Sequence, residues 1–209
     1  MQKLLQIVTN KVFLLVLGLA VGALVILGIR YFRYMPDTVH YHANFAVFVN
    51  GQQEQFKGPR YYEETDIAAA STCTVGTAEN PNERAHMHDN INNVVHVEDH
   101  LVTWGNFFQN LRWGIGSDYL ATADRVLTPD ANNTLVFMLN GKKVDDISNM
   151  IIGDQDKLLV SYGPNSSNQL KQEYGSIKNN ALKYDQEQDP ASCSGHKNVT
   201  AQERLQHLF

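Results

Sequence analysis

Six of the eight histidines in this 209-residue chain lie between His40 and His100. They form three short patterns: His40-Tyr41-His42, His86-Met87-His88 and His96-Val97-Glu98-Asp99-His100. In a strand, residues at i, i+2 and i+4 share one face, so each pattern can present its imidazoles as a row, and the third adds Glu98. Chance placement predicts about 0.3 His-x-His pairs, whereas the chain has two, His40/His42 and His86/His88. Neutral imidazole is the commonest metal-ligating side chain, and a divalent transition metal needs three or four donors converging at roughly 2 Å. The expected ligands are His40, His42, His86, His88 and His96, with Glu98 as ligand or outer partner. An imidazole-rich set suits copper or zinc. Asp89 and Asp99 could orient imidazole N–H groups. His100 near a strand end, and His196 and His207 in a polar tail, are read as non-ligands. Met87 should point away from His86 and His88, into the core.

Two other chemistries use the same residues. Two histidines and a carboxylate can form the facial triad of a non-haem iron enzyme, or a hydrolytic metal centre with Glu98 as ligand or general base. The surplus of histidines weighs against the triad, which keeps positions open for substrate and oxygen. In a partner-binding module the histidines would hydrogen-bond within the sheet and need no metal. Nucleophile motifs, a phosphate loop and a dinucleotide fingerprint are all missing. The pattern specifies a kind of site more than a reaction.

The elements that must position these residues follow from local pattern. Val39 to Asn50 alternates and ends in Asn50-Gly51, a strand running into a tight turn with Gln52 to Lys57 as the return strand. His40, His42 and Asn44 share a face with Ala46 and Phe48, while Tyr41, Phe45, Val47 and Val49 take the other. Arg84 to His100 reads as a hairpin. A three-residue loop at Ile91-Asn92-Asn93 would set His88 opposite His96 and His86 opposite Glu98. Pro59 to Pro81 reads as a long loop with one short helix at most. Thr103 can cap a helix whose stripe is Trp104, Phe107, Phe108 and Leu111, with Gly114 and Gly116 ending it. Leu135 to Lys142 (LVFMLNGK) echoes Phe45 to Gln52 (FAVFVNGQ), and Asp156 to Tyr162 is a further strand. Together these predict an α+β fold over residues 37–164, a small mixed, β-grasp-like sheet with helices on one face. Residues 165–209 form a polar tail, with helical stretches at Gln169 to Lys183 and Thr200 to Phe209. It is either loosely ordered or docked back.

Residues 1–11 form a short N-terminal tail, and Val12 to Ile29 carries no charge. Its 18 residues give about 27 Å of helix, enough with its flanks to cross a bilayer. A cleaved signal peptide is the other reading, but the run exceeds a usual h-region and no clean small-x-small site follows. Gly18 and Gly22 form a GxxxG through which two anchors could pack as a homodimer. Lys3 and Lys11 balance Arg30 and Arg33, so charge does not orient the span. Cys73 and Cys193 tip it: an even, widely separated pair reads as one disulfide in an oxidising compartment, two separate thiols being the alternative. The expected location is the cell membrane, single-pass, with the C-terminal domain extracytoplasmic. With net charge −5 and no basic run, nucleic acid is not an expected partner.

At these residues the chain resembles a family of membrane-anchored, extracytoplasmic prokaryotic proteins of uncharacterised function. Members pair an HxHAxFxVFxNG-like strand with a later HxHD…VxHVE hairpin and a T-x-G-x-F-F helix start. The matching residues here are His40-Tyr41-His42-Ala43-Asn44-Phe45, His86-Met87-His88-Asp89, Val95-His96-Val97-Glu98 and Thr103-Trp104-Gly105-Asn106-Phe107-Phe108. The resemblance covers roughly residues 38 to 113, more loosely to Gly163, with Trp104 where members commonly carry Leu. It implies the anchored topology and brings no activity with it. The likeness to cupins stops at His-x-His on a strand, because the cupin glutamate spacing and flanking glycines are missing.

Overall fold

Two Asn-Gly dipeptides frame the sheet. Asn50 and Gly51 have φ of 51° and 78°, and Asn140 and Gly141 have 52° and 79°. Paired positive φ is the type I′ turn, whose twist matches two antiparallel strands, and Asn-Gly is its preferred pair. The first turn joins β1 (Tyr41–Val49) to β2 (Gln52–Gln53), and the second joins β8 (Thr134–Leu139) to β9 (Lys142–Val144). The sequence echo is therefore an echo of turn chemistry. The return strand β2 is shorter than the Gln52 to Lys57 expected.

The computed structural model describes residues 10–34, 39–62, 84–87, 91–186 and 201–208, in two units. Cys73, Cys193, His88, Asp89 and His196 lie outside the described residues. The larger unit spans Thr38–Gly195. Beside β1, β2, β8 and β9, its main sheet contains β3 (Ala85–His86), β4 (Val94–Val97) and β10 (Lys157–Gly163). The order is β3-β4-β1-β10-β8-β9, with β2 also on β1. Its centre is the parallel pair β1–β10, and the other pairings are antiparallel. The α+β class and mixed sheet expected from the sequence are present. A small second sheet, β5 (Gly114–Gly116), β6 (Tyr119–Ala121) and β7 (Val126–Leu127), was not foreseen.

Alternation along β1 divides the core as expected. Ala43, Phe45, Val47 and Val49 join Val95, Val97 and Phe137 on one side, under helix α2 (Trp104–Asn110) with its buried Trp104, Phe107 and Phe108. Ala46 and Phe48 join Leu159, Leu170 and Ile177 on the other. There α3 (Ser167–Ser176) and α4 (Ala181–Gln186) cover the sheet, so helices lie on both faces and not on one. Polar composition masked this: Leu170, Tyr174, Ile177 and Ala181 suffice to dock the segment.

The Thr103 cap is realised as a capping box. Thr103 Oγ1 accepts from the Asn106 N–H at 3.1 Å, and Asn106 Oδ1 accepts from the Thr103 N–H at 3.0 Å. Thr103→Ala should cost about 1 kcal/mol, read as a fall in thermal midpoint. Contrary to expectation, Gly114 and Gly116 do not end α2, because both lie in β5. The chain leaves the helix at Leu111 and turns at Arg112, whose φ is 61°.

The smaller unit contains α1 (Lys11–Arg33) and α5 (Ala201–Gln206). Asn10 Oδ1 caps α1 by accepting from the Val12 N–H at 3.0 Å. Its 23 residues have a most apolar window of mean hydropathy 3.0, with none of it buried. At 1.5 Å per residue the helix is about 35 Å long, sufficient to cross a membrane. At its C-terminal end, Arg204 Nη1 donates to the carbonyls of Tyr31 at 2.7 Å and Tyr34 at 3.2 Å. His207 stacks on Tyr34, in a different unit from the other described histidines.

Candidate metal centre

The order β3-β4-β1 lays three histidines across adjacent strands. His42 pairs with His96, and His86 pairs with His96. Directly opposed residues of antiparallel strands face the same way, so His86, His96 and His42 form one row with His96 in the middle. Two residues along, on the same face, lie His40 before β1 and Glu98 after β4. The β3–β4 register differs by two residues from the one expected: His86, not His88, stands opposite His96. A two-residue shift preserves every residue's face, so the hydrophobic pattern could not distinguish the two registers. Ala85 and Met87 are fully buried on the opposite, apolar side, as Met87 was expected to be.

Burial of the row is nearly complete, with His42 and His96 each 1% exposed and His86 8%. One nitrogen from each of His40, His42 and His96 falls within 4.8 Å of the others. The same holds for the donors of His86, His96 and Glu98. The structure thus brings together five of the six predicted site residues, His88 being outside the described set.

The order of contacts shows what each imidazole can do. Asp185 Oδ1 lies 2.8 Å from His42 Nδ1 and accepts the His42 backbone N–H at 2.9 Å. His42 Nε2 lies 2.9 Å from His96 Nδ1, and His96 Nε2 lies 3.1 Å from Glu98 Oε1. The Asp185 carboxylate favours N–H at His42 Nδ1, whereas His96 Nε2 lies at ion-pair distance from Glu98 without a hydrogen bond to it. His42 Nε2 is then the acceptor and His96 Nδ1 the donor in the contact between the two rings. A metal ion at that contact would displace this proton, which His96 can carry on Nε2 beside Glu98 instead. Beside that contact, His40 Nε2 is buried with no hydrogen-bond partner among the described residues. Two donors at roughly 2.05 Å from a tetrahedral zinc sit about 3.3 Å apart, so to hold an ion His42 and His96 would have to separate by about 0.4 Å and turn toward it.

Asp185 was missed by the sequence reading. It arrives on α4, and the device that seats α4 is Asn44. Asn44 Oδ1 accepts from the backbone N–H groups of Asn180 at 3.1 Å and Ala181 at 3.0 Å, and its Nδ2 donates to Asn180 Oδ1 at 2.6 Å. Asn93 Nδ2 adds a 3.0 Å bond to Asn180 Oδ1. Two uncovered N–H groups at the start of α4 are thereby satisfied by the strand that carries His42. Burial and then the Asp185 charge push the neighbouring Asp154 carboxyl above its usual range.

Asp99 does not orient an imidazole among the described residues. Its Oδ2 accepts from Arg84 Nε at 2.6 Å, and its Oδ1 from the His100 N–H at 2.7 Å. Burial alone would raise its pKa, but these bonds outweigh it and hold the carboxyl below the usual value. The adjacent guanidinium explains the choice, and the pair ties the ends of the β3–β4 hairpin. His100 is exposed and belongs to neither donor group.

A small crevice, no larger than a water molecule needs, opens beside the row and is lined by His42, Ile91, Val94, His96 and Tyr184. No family model matches the chain, and neither the curated proteins nor the solved structures include one with significant similarity to it.

Proposed function

We propose that this chain is a single-pass membrane-anchored protein whose extracytoplasmic domain holds a transition metal, copper or zinc, through His40, His42 and His96. Its role is metal capture, sensing or delivery at the cell surface. The observation that carries this reading is the buried His42–His96 contact, with Asp185 on His42 Nδ1, Glu98 Oε1 3.1 Å from His96 Nε2, and His40 Nε2 without a hydrogen bond beside it. A buried polar nitrogen with no partner costs about 1–3 kcal/mol, and a cation bound to its lone pair removes that cost. The length and apolarity of α1 support the anchor. Open space around Gly18 and Gly22 leaves room for a second copy in a homodimer. The β-grasp-like description rests on the parallel β1–β10 centre, and family membership rests on the His-x-His, HxHD and HVE motifs.

The test uses full-length protein in detergent, stripped with chelator, incubated with zinc or copper and desalted. Elemental analysis should find at least one equivalent retained; none would favour a module whose histidines only hydrogen-bond within the sheet. Asp185→Asn keeps the shape but withdraws the charge from His42 Nδ1. It should weaken metal affinity by about 10–100-fold, measured by competition against a chromophoric chelator. A second reading, a metalloenzyme with Glu98 as base or ligand, is favoured by the crevice beside His42 and His96. A change in the copper spectrum on adding azide would mark the open coordination position this reading requires.

A further inference from the structure

We infer that the histidine row holds two metal ions, with His96 shared between them. The inference rests on the one-metal reading above and extends it. His96 belongs to both donor groups: His40, His42 and His96 on one side, and His86, His96 and Glu98 on the other. Each group has its donors within 4.8 Å of one another. The two nitrogens of the His96 ring point apart, Nδ1 toward His42 Nε2 at 2.9 Å and Nε2 toward Glu98 Oε1 at 3.1 Å. An imidazole used from both nitrogens therefore has a different ligand set at each end.

Strand pairing builds the symmetry into the backbone. β4 lies between β3 and β1, and His96 is the Cα partner of both His86 and His42. The flanking rings lie at similar distances from it, with centroids 4.6 Å away for His42 and 4.9 Å for His86. Each ligand set spans two neighbouring strands and adds a donor displaced along the strand, His40 in one and Glu98 in the other. The first set is all imidazole and suits copper or zinc. The second includes a carboxylate and suits zinc or another harder divalent ion. With the first ion on Nδ1 the ring's proton would sit on Nε2 beside Glu98, and entry of a second ion would release it to solvent and leave His96 as a shared imidazolate ligand.

The experiment counts metals in full-length protein and then asks whether they communicate. Stripped protein saturated with Cu(II) should retain two equivalents after desalting. At liquid-helium temperature its electron paramagnetic resonance should integrate to far fewer than two spins, because an imidazolate bridge couples the coppers. Loading with one equivalent each of copper and zinc should restore close to one spin. His86→Ala and Glu98→Gln should each lower retention from two equivalents to one, leaving an uncoupled copper signal. Retention of a single equivalent, unchanged by either substitution, would overturn the two-metal inference and leave the one-metal reading standing. Two equivalents with two uncoupled spins would overturn the sharing of His96. Retention of none would defeat both readings. The wild-type count and spectrum do not depend on any variant folding.

Discussion

Substituting His96 with glutamine or alanine is expected to take metal retention from stoichiometric to background, the largest effect of any single change at the cluster. Each donor group contains three residues and both contain His96, so one substitution leaves two donors on either side. Two donors do not make a transition-metal site of protein ligands alone. The loss should also appear in thermal unfolding. A metal at a thousandfold excess over its dissociation constant stabilises the folded state by about 4 kcal/mol. At about 2–4 °C per kcal/mol for a domain of this size, wild type should gain roughly 8–16 °C on loading. The variant should gain nothing. Glutamine keeps most of the ring's volume between His42 and His86, so it separates loss of ligand from loss of packing. A glutamine variant that still retains one equivalent would show that the metal is held elsewhere.

Gly105→Ala is expected to destabilise the domain by about 3 kcal/mol, at the upper end for added volume in a packed site. This reverses the ordinary helical preference, in which alanine is better than glycine by about 1 kcal/mol. A Cβ built at Gly105 would lie 2.3 Å from the Ser148 carbonyl oxygen and 3.1 Å from its carbon, both backbone atoms. That carbonyl accepts the Gly105 N–H at 3.1 Å, and Met150 O accepts the Trp104 N–H at 2.9 Å. The loop before β10 thus caps the first turn of α2, and its approach requires a residue without a side chain. Thermal melts of the variant should fall by roughly 6–12 °C. Gly175→Ala in α3, where a Cβ would meet nothing within 4 Å, is the control. It should be neutral or gain up to about 1 kcal/mol.

Local rules reached far into this structure. Asn50-Gly51 and Asn140-Gly141 announced two hairpins because only a turn with two positive φ angles suits that dipeptide between strands. The two faces of β1 were legible because a period of two is unambiguous over nine residues. The same periodicity failed at the β3–β4 hairpin, where a shift of two residues changes every partner and no face. Strands of two or three residues, as in β5, β6 and β7, are too short to show any period. For the site, the histidines and Glu98 could be named because they cluster in sequence. Asp185 could not be, because its link to His42 crosses 143 positions. What the sequence offered there was the apolar spacing Leu170, Tyr174, Ile177 and Ala181, which marks a docking face without naming the surface it docks on.

The Asn44–α4 latch also sets an order of events in the life of the chain. β1 is the first strand synthesised, yet its parallel partner begins at Lys157 and the carboxylate on His42 comes from Asp185. A nascent chain halted before α4 would carry its histidines on an unfinished sheet, with His42 lacking its anchor. Because the β1–β10 pairing joins distant segments it forms late, and the row is complete only once α4 has been made. Metal entering before then would meet a flexible donor set with little power to choose among ions. Any selectivity of the row among ions would belong to the finished domain, after the last quarter of the chain has folded back.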